Sequence, residues 1–168
     1  MLCAILSDTV IFKSPTCTPI DMKVVKELAA IAGVNDFAAL GMEMFKVKSA
    51  VEGVPVRELI LRDYKPFDMY GNAVGIGQLE VIDLAIFDSI KDDLEADLED
   101  LRAEKNLHTA CLILTDIMKE GSEILVASVD NSIFETAFDK ELVDGKVWLD
   151  GCLSRKKQII PFLEPAFK

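Results

Sequence analysis

Thr109-Ala110-Cys111-Leu112-Ile113-Leu114-Thr115-Asp116-Ile117, then a polar break at Lys119-Glu120-Gly121-Ser122, then Ile124-Leu125-Val126-Ala127-Ser128-Val129, is the stretch that decides the fold class. Each apolar run has strand length, is rich in β-branched residues, and lacks polar alternation. Such runs mark strands covered on both faces, which requires helices above and below a sheet. Working outward, Phe67 and Met69 before Tyr70-Gly71-Asn72, with Val74, Ile76, Leu79 and Val81 after it, predict a hairpin, because Gly and Asn accept positive φ. Asp83 is placed to cap a long helix to about Lys105, in which Leu94, Leu98 and Leu101 form a core-facing stripe behind an acidic, solvated face. Asn131 to Phe138 reads as a short helix. Val147 to Leu153 and Gln158 to Leu163 read as two last strands. The result is an α/β domain, a mixed β-sheet layered with helices.

Toward the N-terminus, Leu2 to Phe12 is an apolar run broken only at Ser7-Asp8-Thr9, and it reads as a buried strand whose polar end emerges near Asp8. Lys13 to Pro19 is a connector. Asp21 is placed as the cap of a helix through Val24, Val25, Leu28 and Ile31 that closes at Gly33. Asn35 or Asp36 caps a second helix ending near Lys46 to Ser49, and Pro55 to Arg62 gives a short third one.

The 168 residues suffice for one substantial core, and the composition is 51% hydrophobic. No apolar window is long enough to span a bilayer, so no membrane partner is expected. The first residues make a poor signal peptide, because no basic residue precedes the apolar stretch and Asp8 interrupts it early. Cys3, Cys17, Cys111 and Cys152 form no C-x-x-C pair. Reduced thiols in a cytoplasmic protein follow from that pattern. With 29 acidic against 18 basic residues and a net charge of -11, a nucleic-acid partner is not expected, since binding a phosphate backbone needs a broad basic face.

Against that acidic background stands Ser154-Arg155-Lys156-Lys157-Gln158, followed by Ile159-Ile160-Pro161. Adjacent cations combine a planar fork of donors with compact point charges, which suits phosphate oxygens. On spacing alone, a solvated turn between two strands explains the segment equally well.

Taken with three other segments, this motif gives the chain a family likeness. Ile5-Leu6-Ser7-Asp8-Thr9 with Phe12-Lys13-Ser14-Pro15-Thr16, Gly41-Met42-Glu43-Met44-Phe45-Lys46, Gly77-Gln78-Leu79-Glu80-Val81-Ile82-Asp83, and Ser154 to Pro161 occur in the family's order and spacing. The chain resembles the C-terminal half of the manganese-dependent (family II) inorganic pyrophosphatases, members of the DHH phosphoesterase superfamily. The resemblance implies that residues 1–20 are the last strand of a DHH domain plus linker, and that residues 21–168 are a DHH-associated phosphate-binding domain. It implies substrate-binding roles for Lys46, Arg155 and Lys156 toward pyrophosphate or phosphate, and a metal-ligand role for Asp8. Without the family, Asp8 remains equally a polar strand end. The complete enzyme would use a divalent metal, Mn with Mg or Co as alternatives.

The departure from the family is as informative as the match. His108 is the only histidine, and no Asp-His-His motif exists. A hard divalent cation takes about six ligands, which Asp8 alone cannot supply. The chain is therefore expected to bind no metal firmly and to be inactive without a DHH domain. An expressed fragment, a truncated reading frame and the tail of an enzyme interrupted by CBS domains all fit. A non-catalytic anion-binding module and part of an exopolyphosphatase-like phosphoesterase are the alternatives. An orphaned apolar strand would also seek a partner, so residues 1–20 are expected to pair with a second copy in a homodimer, or to stay mobile.

Overall fold

The computed structural model describes all 168 residues. Helices α1 (Leu2–Asp8), α2 (Pro19–Ala32), α3 (Phe37–Lys48) and α4 (Val56–Leu61) precede β1 (Lys65–Met69) and β2 (Asn72–Val81). Then come α5 (Lys91–Glu104), β3 (Thr109–Asp116), β4 (Gly121–Ser128), α6 (Asn131–Phe138), β5 (Lys146–Asp150), a π-helical turn (Arg155–Ile159) and α7 (Ile160–Leu163). The strands lie in chain order in one sheet, β1-β2-β3-β4-β5. β2 and β3 are parallel, joined by the α5 crossover, and the other pairs are antiparallel. This is the mixed, layered sheet that the sequence implied.

Every residue of β3 is buried, as its continuous apolar run requires. One face presents Leu79, Val81, Ala110, Leu112, Leu114 and Leu125 to α4 and to the Leu94, Leu98 and Leu101 stripe of α5. The other presents Val74, Ile76, Cys111, Ile113 and Ile124 to Phe134 of α6 and to Ile159 and Leu163. Helices α1 to α3 share a separate small core built on Leu2, Leu6, Val25 and Ala29. No single helix is long and apolar enough to cross a membrane.

Several expectations change. Leu2 to Phe12 is not a strand: Leu2–Asp8 is helix α1. Without a neighbouring strand, a helix alone satisfies the backbone internally. Leu2 and Leu6, four residues apart, then bury against α2. Val10, Ile11 and Phe12 follow in left-handed conformation, with φ of 49°, 51° and 66°. They turn the chain back so that Val10 packs with Phe45 and Ile117. Ile11 approaches α3 so closely that a Cβ on Gly41 would lie 2.9 Å from its Cγ1. The premise of a homodimer through residues 1–20 falls with this, because Leu2, Leu6 and Val10 are covered by their own chain.

The expected last strand, Gln158 to Leu163, is also helical. Pro161 has no N–H to give a ladder, and Ile159 and Leu163 bury one apolar face under the sheet instead. The preceding strand ends at Asp150, where Gly151 turns at φ 69°. The helix cap at Asp21 moves to Thr18. Thr18 accepts from the Asp21 N–H while the Asp21 carboxylate accepts from the Thr18 N–H, a reciprocal capping box. Asp36 caps α3 as expected. Asp83 caps a 3₁₀ turn, Leu84–Phe87, that precedes the α5 helix.

Candidate functional site

The cleft that matters lies where the α1–α3 unit meets the sheet. It encloses about 570 Å³ and is walled by Asp8, Lys48, Lys65, Glu80, Arg155 and Lys156, among others. That volume suits a small ligand. Asp8 comes from the last residue of α1, Lys48 from the end of α3, Lys65 from the start of β1, Glu80 from β2, and Arg155 with Lys156 from the π-helical turn. The structure thus brings Asp8 together with Arg155 and Lys156, from opposite ends of the chain.

Each cation is held differently. Arg155 is 7% exposed. Its Nη1 donates to Asp63 O at 2.5 Å and Ile76 O at 2.9 Å, and its Nη2 donates to Asp63 Oδ1 at 2.9 Å. Lys48 is paired with Glu80. Lys65 and Lys156 are exposed at the cleft, and no ion pair of the chain includes either. They are its uncommitted positive charges. Lys46 lies outside this cleft. It sits on the exposed side of α3 and pairs with Glu43, one turn back, at 2.5 Å.

The turn bearing Arg155 and Lys156 is tightly specified. Ser154 caps it, accepting from the Lys157 N–H. Gln158 Oε1 accepts from the N–H groups of Leu153 and Ser154, and its Nε2 donates to Gly151 O. Lys157 points away from the cleft chemistry and donates to Pro15 O at 2.7 Å. With Lys13, which donates to Ile117 O and pairs with Glu120, it ties the N-terminal connector to the sheet.

Asp8 is exposed, and its backbone carbonyl, not its carboxylate, accepts from Thr16 Oγ1. A carboxylate at a helix C-terminus is opposed by the helix dipole and favours a neighbouring cation. One open carboxylate fits one position in a metal's coordination shell. No group of three or more His, Cys, Asp or Glu side chains converges to complete it.

Sequence reasoning missed Lys65, Lys48 and Asp63 as members of the cleft. Nothing local distinguishes Lys65 from any lysine opening an edge strand. Gln78 did carry a signal, as an uncharged polar residue inside the apolar run of β2. His108 is structural: its Nδ1 lies 2.9 Å from Thr109 Oγ1 and its ring packs edge-on to Phe167. Asp116 Oδ1 accepts from the N–H groups of Met118 and Lys119, a turn role.

Comparison with known proteins identifies the family of the fold. Residues 42–166 match the DHHA2 domain family. The manganese-dependent inorganic pyrophosphatase of Methanocaldococcus jannaschii is 45% identical over 167 residues, covering 99% of this chain and 54% of its own length. The cobalt-dependent inorganic pyrophosphatase of Clostridium perfringens is 41% identical, covering 96% of this chain and 29% of its own length. A crystal structure from Methanococcus jannaschii assigned to the family II inorganic pyrophosphatases superposes with a TM-score of 0.93 at 45% identity, over 99% of this chain and 54% of that one. The chain therefore spans about half the length, or less, of these relatives. Its match to the domain model and the course of its backbone together show that it belongs to the DHHA2 family, the C-terminal portion of family II inorganic pyrophosphatases.

Proposed function

We propose that this chain is the substrate-gripping part of an inorganic pyrophosphatase, and that it hydrolyses nothing by itself. The observation that supports this reading is the convergence of Asp8 with Arg155 and Lys156 on one cleft. Lys156 and Lys65, unpaired and exposed, would neutralise the oxygens of pyrophosphate or phosphate through charge-assisted hydrogen bonds. Arg155 would hold the turn that presents Lys156 and add its charge to the cleft wall. Lys46, on the outer side of α3, has no part in this reading. Asp8 would give one ligand to a divalent metal, Mn or, as the relatives' names suggest, Co, whose other ligands lie outside this chain in a DHH domain. Such a metal, when bound, would supply an activated water by lowering its pKa toward about 7. A cytoplasmic setting with reduced thiols belongs to the same proposal.

The test is phosphate release from pyrophosphate with Mn²⁺, measured on this chain alone and with a separately made DHH domain. No turnover alone and turnover on mixing is the expected result. Metal-dependent turnover by the chain alone, lost in Asp8→Ala, would overturn the proposal.

A further inference from the structure

The face of the sheet toward α6 and α7 is apolar along Val74 and Ile76 of β2, Cys111 and Ile113 of β3, and Ile124 of β4. One alternation further toward the cleft, the same face turns polar at Gln78, Thr115 and Ser122, on three adjacent strands. These side chains are 9%, 0% and 0% exposed. Buried hydroxyls and amides are unfavourable unless each finds a partner. Here Gln78 Nε2 donates to Thr115 Oγ1 at 3.0 Å, and Thr115 Oγ1 lies 2.9 Å from Ser122 Oγ.

Where the row ends is informative. Ser122 Oγ donates to Cys152 O at 2.6 Å, Gln78 Nε2 also donates to Leu153 O at 3.3 Å, and the Arg155 N–H donates to Gln78 Oε1 at 3.4 Å. Residues 152 to 155 lie beyond the end of β5. Their backbone has left the ladder, yet it crosses a buried surface. Side chains of β2 and β4 replace the ladder for it, and Thr115 of β3 bridges the two. Valine or isoleucine, as used one alternation away, would pack the face equally well and would leave those carbonyls unpaired.

We infer that Gln78, Thr115 and Ser122 are positioning residues of the anion site, with the Thr115 hydroxyl as their hub: they fix the backbone of residues 152–155 so that Lys156 is presented to the cleft. This rests on the reading of the cleft as a pyrophosphate site. None of the three needs to touch the anion through its own hydroxyl or amide for this effect.

The probe is inorganic pyrophosphate, titrated into the 168-residue chain and followed by phosphorus NMR and by the amide shifts of Ser154, Arg155 and Lys156. Wild type is compared with Lys156→Ala, Thr115→Val and Thr115→Ser. Thr115→Val preserves shape and removes only the hydroxyl. It breaks both hydrogen bonds of the hub. Because these act on the anion only through the turn, it is expected to weaken binding about five-fold, the net worth of a typical hydrogen bond, and to move the three amide shifts before any ligand is added. Thr115→Ser is expected to restore both. Should Thr115→Val not fold, Ser122→Ala, which removes the hydroxyl at the other end of the row, is read in the same way. If binding depends on Lys156 but is unchanged in the folded Thr115 or Ser122 variants, even with a lower melting temperature, the row is merely structural and the inference fails while the site stands. If wild type does not bind, or binding ignores Lys156→Ala, the site itself falls and the positioning role with it.

Discussion

Arg155 offers a way to ask which interactions hold the basic turn in place. Its guanidinium reaches two backbone carbonyls and one carboxylate, and the two kinds of partner are not equivalent. Asp63 is 52% exposed at its side chain against 7% for Arg155, so water screens the ion pair. The Asp63 backbone oxygen and Ile76 O are the other acceptors. Arg155→Met keeps the apolar stem and removes all three bonds. Hydrogen bonds to a charged group contribute about 1.5–3 kcal/mol each, offset in part because a buried charge disappears. A net loss of about 3–4 kcal/mol follows. Asp63→Asn leaves both carbonyl bonds intact and still offers an oxygen, so it should cost no more than about 1 kcal/mol. For a chain of this size 1 kcal/mol moves the melting temperature by about 2–4 °C, which puts the arginine variant roughly 6–16 °C down and the asparagine variant within about 4 °C of wild type. Urea unfolding followed through the single tryptophan, Trp148 in β5, gives both free energies. Equal losses in the two variants, or a loss under about 1 kcal/mol for Arg155→Met, would refute the claim that the carbonyls hold this arginine.

Lys65→Ala and Lys156→Ala should each weaken pyrophosphate binding, with the loss shrinking as ionic strength rises, whereas Lys46→Ala should bind as wild type in the same calorimetric titration. Burial pushes the Cys111 thiol up to about 12 and Cys152 to about 11, so a thiol reagent at pH 8 should modify Cys3 rapidly, Cys17 more slowly, and the other two only on unfolding; fast labelling of all four would contradict the core assignment. The unfolded chain releases those two protons near pH 9 while the native chain keeps them, so stability should fall as pH rises from 8 to 10, by at most about 1.4 kcal/mol per pH unit per thiol; urea midpoints that do not move over that range would exclude it. Thr18→Ala removes one half of the α2 capping box and should lower stability by about 1 kcal/mol. The loss should be larger at neutral pH than in acid, because the Thr18 hydroxyl helps hold the Asp21 carboxyl below its ordinary range, while the bond from the Asp21 N–H to that hydroxyl does not titrate.

The fold was legible wherever periodicity and burial told the same story. The double-sided burial of β3 appears as an unbroken apolar run, and the Tyr70-Gly71-Asn72 hairpin appears as turn chemistry between strands. Leu2 to Phe12 misled because an apolar run of that length suits a strand or a buried helix equally, and only the absent pairing partner decides between them. The C-terminal segment misled for a related reason: its apolar residues suit a strand or one face of a helix, and only Pro161, which has no N–H for a ladder, separates the two. In the site, Arg155 and Lys156 were visible as a charge anomaly in an acidic chain. Lys46 and Lys65 look alike in sequence, and only the side of each element that faces the cleft separates them. That property depends on how α3 and β1 sit against the sheet, which no local pattern encodes.

The separate core of α1, α2 and α3 has a thermodynamic consequence. Its four buried residues compare with thirteen and twelve in the clusters on the two sheet faces, so less apolar surface opposes its opening than opposes loss of the sheet. Proteins come apart in such cooperative units, each with its own free energy. Amides of residues 2–48 should therefore exchange with deuterium through a cheaper, sub-global event in which one bank of the cleft departs and β2 to β4 stay protected. An anion bridging Lys65 or Lys156 to a cation held at Asp8 would bind only the undivided form. By mass action it would slow exchange in the helices, and it would slow the event that melts the sheet by the same factor, since neither opened form keeps the site whole. Occupancy of the cleft could then be read from amides that never touch the ligand.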